Sequence, residues 1–274
     1  MFDANKLPPL REIVGRFDIA AQKSLGQHFL FDLNLTRRVV SVAGPLTDIN
    51  AIEIGAGPGG LTRALLESDA RHVYAIERDP RAVAALRELA QHAEGRLTVL
   101  DADALETDLI RAVPGPRKVV ANLPYNIGTQ LLINWLMQAD QFLGFTLMFQ
   151  KEVAERIVAT PGGKAYGRLS VISQWLTAPR IMFDIPASAF VPPPSVTSSV
   201  IQMSVRPRPL AEARREKLEI VTRAAFGQRR KMLRRSLSAI GGAELLARAG
   251  VPEEARAEEL TIDQFCAIAR LLDD

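Results

Sequence analysis

From residue 49 to about residue 158, short apolar runs alternate with amphipathic stretches, and this alternation restricts the fold more than any other feature. Residues 49–54, 72–76, 97–100, 118–121 and 145–149 read as strands. The segments between and after them (61–67, 80–93, 129–137 and a helix opening at Lys151) read as helices. Nearly continuous apolar strands are those buried on both faces, and strands joined through helices run parallel. The expected core is therefore an α/β layer structure, a mostly parallel sheet covered on both sides. A helix over residues 33–42, with Leu33, Leu35, Val39, Val40 and Val42 on its apolar face, follows a short N-terminal arm. Residues 181–183 and 200–203 are late strands joined by a Pro-rich loop, which suits an antiparallel addition at the sheet edge.

Arg206-Pro207-Arg208-Pro209 interrupts both strand and helix and reads as a linker. Beyond it, residues 214–226, 231–239, 243–249 and 261–271 read as helices, the last capped by Thr261. The sequence thus divides into residues 1–206, with an N-terminal arm over 1–45, and a helical part over 207–274, without internal repeats.

With 47% apolar residues over 274 positions the chain can bury a large core. No apolar run approaches the roughly 20 residues of a membrane span. The first 26 residues carry Asp3, Glu12 and Asp18 and lack the apolar core of a signal peptide, so a cytoplasmic location without membrane contact is expected. Cys266 is the sole cysteine, and His28, His72 and His92 are scattered, so neither a disulfide framework nor a metal centre is expected. Net charge is only +3, yet Arg214, Arg215, Lys217, Arg223, Arg229, Arg230, Lys231, Arg234 and Arg235 crowd one stretch against Glu216 and Glu219. Such a cluster suits a polyanion, the alternative being a solvated helix face.

Gly55-Ala56-Gly57-Pro58-Gly59-Gly60 follows the first strand of the alternating region. Glycines there let the backbone turn tightly and approach a nucleoside closely. Glu77 ends the next strand, where an acid can hydrogen-bond a ribose. Asp103, after the third strand, offers an acceptor for an adenine amine, although Asp101 is equally available. The loop and Glu77 fit a nicotinamide dehydrogenase as well as an S-adenosylmethionine (AdoMet) methyltransferase.

Asn122-Leu123-Pro124-Tyr125, at the mouth of the fourth strand, favours AdoMet. The Asn side chain and the carbonyl before Pro124 are acceptors for a flat exocyclic amine, and Tyr125 is a stacking face. Pro124 lacks an N–H and stiffens the turn. A dehydrogenase has no use for this tetrad and would need a hydride-transfer partner group, for which no candidate stands out.

Lys23-Ser24-Leu25-Gly26-Gln27-His28-Phe29-Leu30, Glu53-Ile54-Gly55, Asn122-Leu123-Pro124-Tyr125-Asn126-Ile127 and Phe190-Val191-Pro192-Pro193-Pro194-Ser195-Val196 occur in that order. Together with Phe226-Gly227-Gln228-Arg229-Arg230-Lys231-Met232-Leu233, this set resembles the ribosomal RNA adenine dimethyltransferases, in their bacterial small-subunit branch. The resemblance runs from about residue 20 to the C-terminus. It implies a Rossmann-like AdoMet-dependent methyltransferase sheet with a small all-α C-terminal domain. It also implies dimethylation of the N6 amines of two adjacent adenosines in the 3′-terminal hairpin loop of small-subunit rRNA, within an immature ribosomal subunit and by a monomer.

By the same resemblance His28, Leu30, Gly55, Gly57, Glu77, Asp103 and Asn122 hold AdoMet, Asn122 also meeting the target amine. Tyr125 stacks on the target base, Phe190 closes its other face, and Arg229, Arg230, Lys231, Arg234 and Arg235 grip RNA phosphates. The family usually has Asn where this chain has His28, a change that a backbone contact there survives. Competing readings are the related large-subunit rRNA enzyme of macrolide resistance, a DNA adenine methyltransferase, and an assembly factor whose chemistry is secondary.

Overall fold

The computed structural model describes residues 2–19, 21 and 27–272, so Lys23 to Gly26 of the first motif lie outside the described residues. In chain order its helices are α1 (Leu10–Arg16), α2 (Leu33–Ser41), α3 (Gly60–Glu67), α4 (Pro80–Gln91), α5 (Leu109–Ala112), α6 (Gly128–Leu136), α7 (Lys151–Val158), α8 (Arg168–Leu176), α9 (Arg215–Gly227), α10 (Leu233–Ser236), α11 (Gly242–Arg248) and α12 (Ile262–Arg270). The strands are β1 (Phe29–Leu30), β2 (Asn50–Ile54), β3 (His72–Glu77), β4 (Leu97–Asp101), β5 (Arg117–Asn122), β6 (Gly144–Gln150), β7 (Thr177–Ile185), β8 (Phe190–Val191) and β9 (Ser198–Val205).

The chain forms two compact units, one of residues 1–154 and 180–205 and one of residues 155–179 and 206–274. The first contains a seven-stranded sheet in the order β4-β3-β2-β5-β6-β9-β7. β2 pairs in parallel with β3 and β5, β3 with β4, and β5 with β6, as the β-α alternation requires. β9 joins β6 antiparallel, from Gly144↔Ser204 to Gln150↔Ser198, as expected for the late strands. β7 is the outermost strand; it carries Pro179, which only an edge accepts, and leaves Ile181 and Met182 exposed. Every residue of β2 is buried, and Val119, Val120 and Ala121 of β5 are fully covered, which explains why these strands read as unbroken apolar runs.

Helix ends follow their local chemistry. Asp32 caps α2 by accepting from the amides of Asn34 and Leu35, and Asp79 caps α4 by accepting from Arg81 N, with Pro80 at the first helical position. Strand order reverses between β2 and β5, because β3 and β4 lie to one side and β6 to the other. The carboxyl ends of β2 and β5 therefore open a crevice at the point where doubly wound sheets bind ligands.

The second unit packs α8, α9, α11 and α12 around Tyr166, Trp175, Val221, Phe265 and Cys266. Thr261 and Gln264 form a reciprocal capping box at the start of α12. Residues 155–179, which the sequence grouped with the sheet, belong to this unit, so the chain enters it twice rather than once at the Pro-rich linker. The helix expected over 231–239 is instead the four-residue α10 followed by a 3-10 turn over Ser238–Ile240. Gly241 and Gly242, at φ +119° and +50°, hold the chain in the left-handed region where a helix cannot continue.

Candidate active site

The crevice is lined from four segments of the first unit: residues 27–30, the β2 end with the glycine loop, the ends of β3 and β4, and residues 122–127. Its empty volume is about 1110 Å³, including the part open to solvent. Two glycines explain how these segments approach. Gly55 has φ +67°, and a Cβ on it would lie 3.3 Å from the ring of Pro124, so the loop after β2 and the tetrad after β5 touch. A Cβ on Gly60 would lie 2.5 Å from the Leu30 carbonyl, so only glycine lets the short β1 strand lie across the start of α3.

Two of the acids are held differently. Glu77 is held by backbone: Oε2 accepts from Gly57 N at 2.9 Å, and Oε1 from Arg78 N at 2.8 Å and Asp79 N at 2.9 Å. A carboxylate has about four acceptor sites, so one remains on Oε2. Glu53, in mid-strand, is 2% exposed and its Oε2 accepts from Thr62 Oγ1 at 2.6 Å. Burial pushes its carboxyl up to about 8, with the nearby Glu77 adding to the rise and the Thr62 hydrogen bonds opposing it. The folded chain therefore favours the protonated form of Glu53.

Asp101 and Asp103 differ in position. Asp103 lines the crevice, its Oδ1 accepting from Leu105 N at 2.9 Å and its Oδ2 paired with Arg78 at 2.6 Å. Asp101 is not a lining residue and pairs with Arg87 at 3.6 Å on the surface.

At the tetrad, Asn122 Nδ2 donates to the His28 carbonyl at 2.9 Å. A carbonyl can only accept, so this bond fixes which way the Asn122 amide faces and leaves Oδ1 as a free acceptor. Among the described residues no donor reaches the Leu123 carbonyl either, whereas the Pro124 carbonyl receives Ile127 N and Gly128 N at the start of α6. The two oxygens that the sequence reading offered to an amine are thus without a donor among the described residues. The Tyr125 hydroxyl is hydrogen-bonded to Ser198 Oγ of β9, which fixes the ring, and burial raises its pKa so that it stays a neutral phenol.

His28 meets the tetrad with backbone and side chain. Its ring stacks on Tyr125 at 5.3 Å between centroids, and its Nδ1 donates to the Pro192 carbonyl at 2.8 Å. Phe190 is not brought to the crevice: it is 1% exposed, pairs with Leu30 across the β1–β8 ribbon, and packs in the main core. The aromatic neighbour that Tyr125 has here is His28.

In the second unit the basic residues split. Arg229 is tied to Glu258 at 2.7 Å and to the Lys164 carbonyl at 2.6 Å, and Arg234 pairs with Glu253 at 3.5 Å. Arg230, Lys231 and Arg235 are exposed and form no ion pair among the described residues. No group of His, Cys, Asp and Glu among the described residues is arranged to hold a metal ion. No described helix is long and apolar enough to cross a membrane.

Sequence reasoning gave no role to Glu53, which lines the crevice and is bonded to the buried Thr62. The available signal was an ionisable residue inside the apolar run Asn50–Ile54. It also missed the His28 ring as a partner of Tyr125, for which nothing local in the sequence is a signal.

Comparison with known proteins bears on the whole chain. A ribosomal RNA small subunit methyltransferase A from Paramagnetospirillum magneticum is 57% identical over 268 residues, 97% of this chain and 95% of its own length. The protein of the same name from Rhodospirillum rubrum is 55% identical over 97% of this chain and 93% of its own. Among solved structures, the 23S rRNA methyltransferase ErmE superposes with a TM-score of 0.69 at 26% identity, covering 90% of this chain and all of that one (100%). A dimethyladenosine transferase from Plasmodium falciparum reaches a TM-score of 0.74 at 24% identity over 88% of this chain and 96% of its own, a likeness of fold. The family model for ribosomal RNA adenine dimethylase matches residues 19–274, which takes in the glycine loop, the tetrad and the basic tail, and the chain belongs to that family.

Proposed function

We propose that the chain is an AdoMet-dependent enzyme that dimethylates adenine N6 amines of small-subunit ribosomal RNA. The observation that carries this reading is the Asn122 amide, locked by the His28 carbonyl so that its oxygen and the Leu123 carbonyl face a crevice at the strand-order reversal. The identity to small-subunit enzymes, at 57% against 26% for the large-subunit enzyme, supports the choice of subunit.

The residues present fit AdoMet. The close passage of Leu30 over Gly60 forms a cradle that a Cβ would fill, and Glu77 keeps an acceptor site for a ribose hydroxyl. Asp103 and the apolar Leu30 and Ile76 complete a nucleoside-sized wall, with the His28 backbone, Gly55, Gly57 and Asn122 around it. Bound there, AdoMet supplies an electrophilic sulfonium methyl group.

The adenine amine is a weak nucleophile because its lone pair is delocalised into the ring. Asn122 Oδ1 and the Leu123 carbonyl, each accepting one N–H, favour a tetrahedral nitrogen whose lone pair is freed for attack. The proton is held by these acceptors and leaves late, so no strong base is needed, and Tyr125, a neutral phenol, is not one. Tyr125 holds the base by stacking, which offsets part of the cost of taking it out of its RNA neighbours. Positioning then carries most of the rate.

Arg230, Lys231 and Arg235, with Arg229 and Arg234, are assigned to RNA phosphates, where they add affinity but little sequence information. The substrate pair of adjacent adenosines in the 3′-terminal hairpin, presented by an immature subunit to a monomeric enzyme in the cytoplasm, completes the reading.

The test is methyl transfer from labelled AdoMet into small and large subunits from cells lacking this protein, with mass mapping of the modified bases. Two methyls on each of two neighbouring adenines of the small subunit are expected. Transfer only to the large subunit, or AdoMet binding without transfer to either, overturns it.

A further inference from the structure

His28 takes part in three contacts that no cofactor role requires. Its backbone carbonyl orients Asn122, its ring lies over Tyr125 at 30° and 5.3 Å, and its Nδ1 is bonded to Pro192. Because the Pro192 carbonyl can only accept, Nδ1 carries the proton in this bond, which fixes the rotation of the ring about its own side chain. The ring is thus held against Tyr125 by its own side-chain bond and by Pro192.

A flat base stacked on both rings at once needs about 7 Å between them, twice a van der Waals stacking distance of roughly 3.5 Å. The observed 5.3 Å leaves no such gap. Phe190, buried in the core, does not take up the position either. Whatever stacks on that face of Tyr125 must first move the imidazole.

We propose that the His28 ring is a placeholder for the target base: it covers the Tyr125 stacking face in the RNA-free enzyme and is displaced when an adenine enters. This rests on the reading of Tyr125 as the base platform. His28 is a positioning residue by this account, acting on base entry rather than on methyl transfer. Its ring keeps an aromatic surface from lying bare in the free protein and sets a threshold that a poorly presented base does not pass. The ring cannot leave Tyr125 without giving up its hydrogen bond to the Pro192 carbonyl, which adds to the threshold.

The experiment compares His28→Ala, which removes the placeholder, with His28→Phe, which keeps a ring but cannot bond Pro192. Wild type and both variants are assayed for kcat and KM on undermethylated small subunits and for AdoMet affinity by calorimetry. Independently of activity, the His28 ring protons are followed by NMR; the chain has 3 His, so the assignment follows from either variant. Tyr125→Ala should abolish the ring-current shift of His28 in the free protein. With the ring gone, kcat/KM for the subunit should rise roughly three- to tenfold, the population shift expected from removing one competing aromatic contact, with AdoMet affinity within twofold of wild type. His28→Phe should not show the rise. A fall in kcat/KM for His28→Ala with AdoMet affinity unchanged would make the ring a wall of the base site and overturn the proposal. Weakened AdoMet binding would make it a cofactor ligand and overturn it equally, as would a His28 shift indifferent to Tyr125. A wild-type enzyme inactive on small subunits would instead sink the functional reading, leaving the ring-current result standing.

Discussion

Glu53→Gln is the sharpest test of the crevice electrostatics. In the folded chain the carboxyl is lifted from 4.5 to about 8, chiefly because burial in mid-strand disfavours the anion. In the unfolded chain it ionises near 4.5. Between those values the folded state holds a proton that the unfolded state has released, so stability falls as pH rises, by about 1.36 kcal/mol per unit. Above about 8 both states are ionised and the loss stops. From pH 6 to pH 8, allowing for half-ionisation at the upper end, wild type should lose about 2 kcal/mol relative to the glutamine variant.

Glutamine keeps an oxygen for the Thr62 hydroxyl and has no proton to lose, so the variant isolates this one titration. The assay is urea unfolding of both proteins at pH 6, 7 and 8. At a typical slope of about 2 kcal/mol per molar urea, the gap between the two midpoints should widen by about 1 M toward pH 8. Midpoints that stay parallel across that range would refute a neutral buried Glu53. Thr62→Val should shift the wild-type window to higher pH, because it removes a bond that favours the anion.

Tyr125→Ala should lower methyl transfer at saturating AdoMet roughly 10²-fold while AdoMet affinity by calorimetry stays unchanged; a loss of affinity alone would refute the stacking role. Gly60→Ala pushes a Cβ to 2.5 Å from the Leu30 carbonyl, so it should cost about 1–3 kcal/mol in thermal unfolding and weaken AdoMet binding. Wild-type stability and affinity in that variant would mean that β1 does not close the cradle. Arg230, Lys231 and Arg235 reversed to Glu should weaken subunit binding and flatten its log-affinity against log-salt slope by about 0.7 to 0.9 per lost phosphate contact. An unchanged slope would remove these residues from the RNA interface.

The parts of the fold legible in the sequence are those enforced by burial. A strand covered on both faces must be apolar throughout, so β2 and β5 were visible within a residue or two of their ends. The glycine loop and tetrad were legible because each needs backbone that few residues allow. Phe190 was not, because the side to which it points depends on pairing with β1. In the two-residue β1–β8 ribbon, Leu30↔Phe190 turns inward while Val191 is 43% exposed, and a Pro-rich segment has no periodicity to reveal that alternation. The membership of residues 155–179 in the helical unit was hidden for a similar reason. Their apolar positions Tyr166, Val171 and Trp175 meet partners near residues 218–269, and no local pattern encodes so distant a contact. Likewise the sequence shows an acid in a buried strand but not whether it keeps its proton, which only the surroundings decide.

The Asn122 lock also bears on how many methyl groups the site accepts. With Nδ2 committed to the His28 carbonyl, Asn122 cannot flip to offer a donor, so the amine always faces two acceptors, Oδ1 and the Leu123 carbonyl. An unmethylated adenine fills both. A once-methylated adenine fills one and leaves the other facing a methyl group or water. A dimethylated adenine has no N–H and meets two unsatisfied oxygens, each an unpaired polar group that weakens binding by about 1–3 kcal/mol. By the proposed reading of Asn122 and Leu123, the site holds its substrate better than its intermediate and its intermediate better than its product, and dimethylation ends with release of the base. Small subunits carrying unmethylated, monomethylated and dimethylated target bases should bind the wild-type enzyme in that order of decreasing affinity. In Asn122→Ala, which removes one acceptor, the spread should shrink by about half. A dimethylated subunit that binds as tightly as the unmethylated one would show that phosphate contacts, not the amine clamp, govern release.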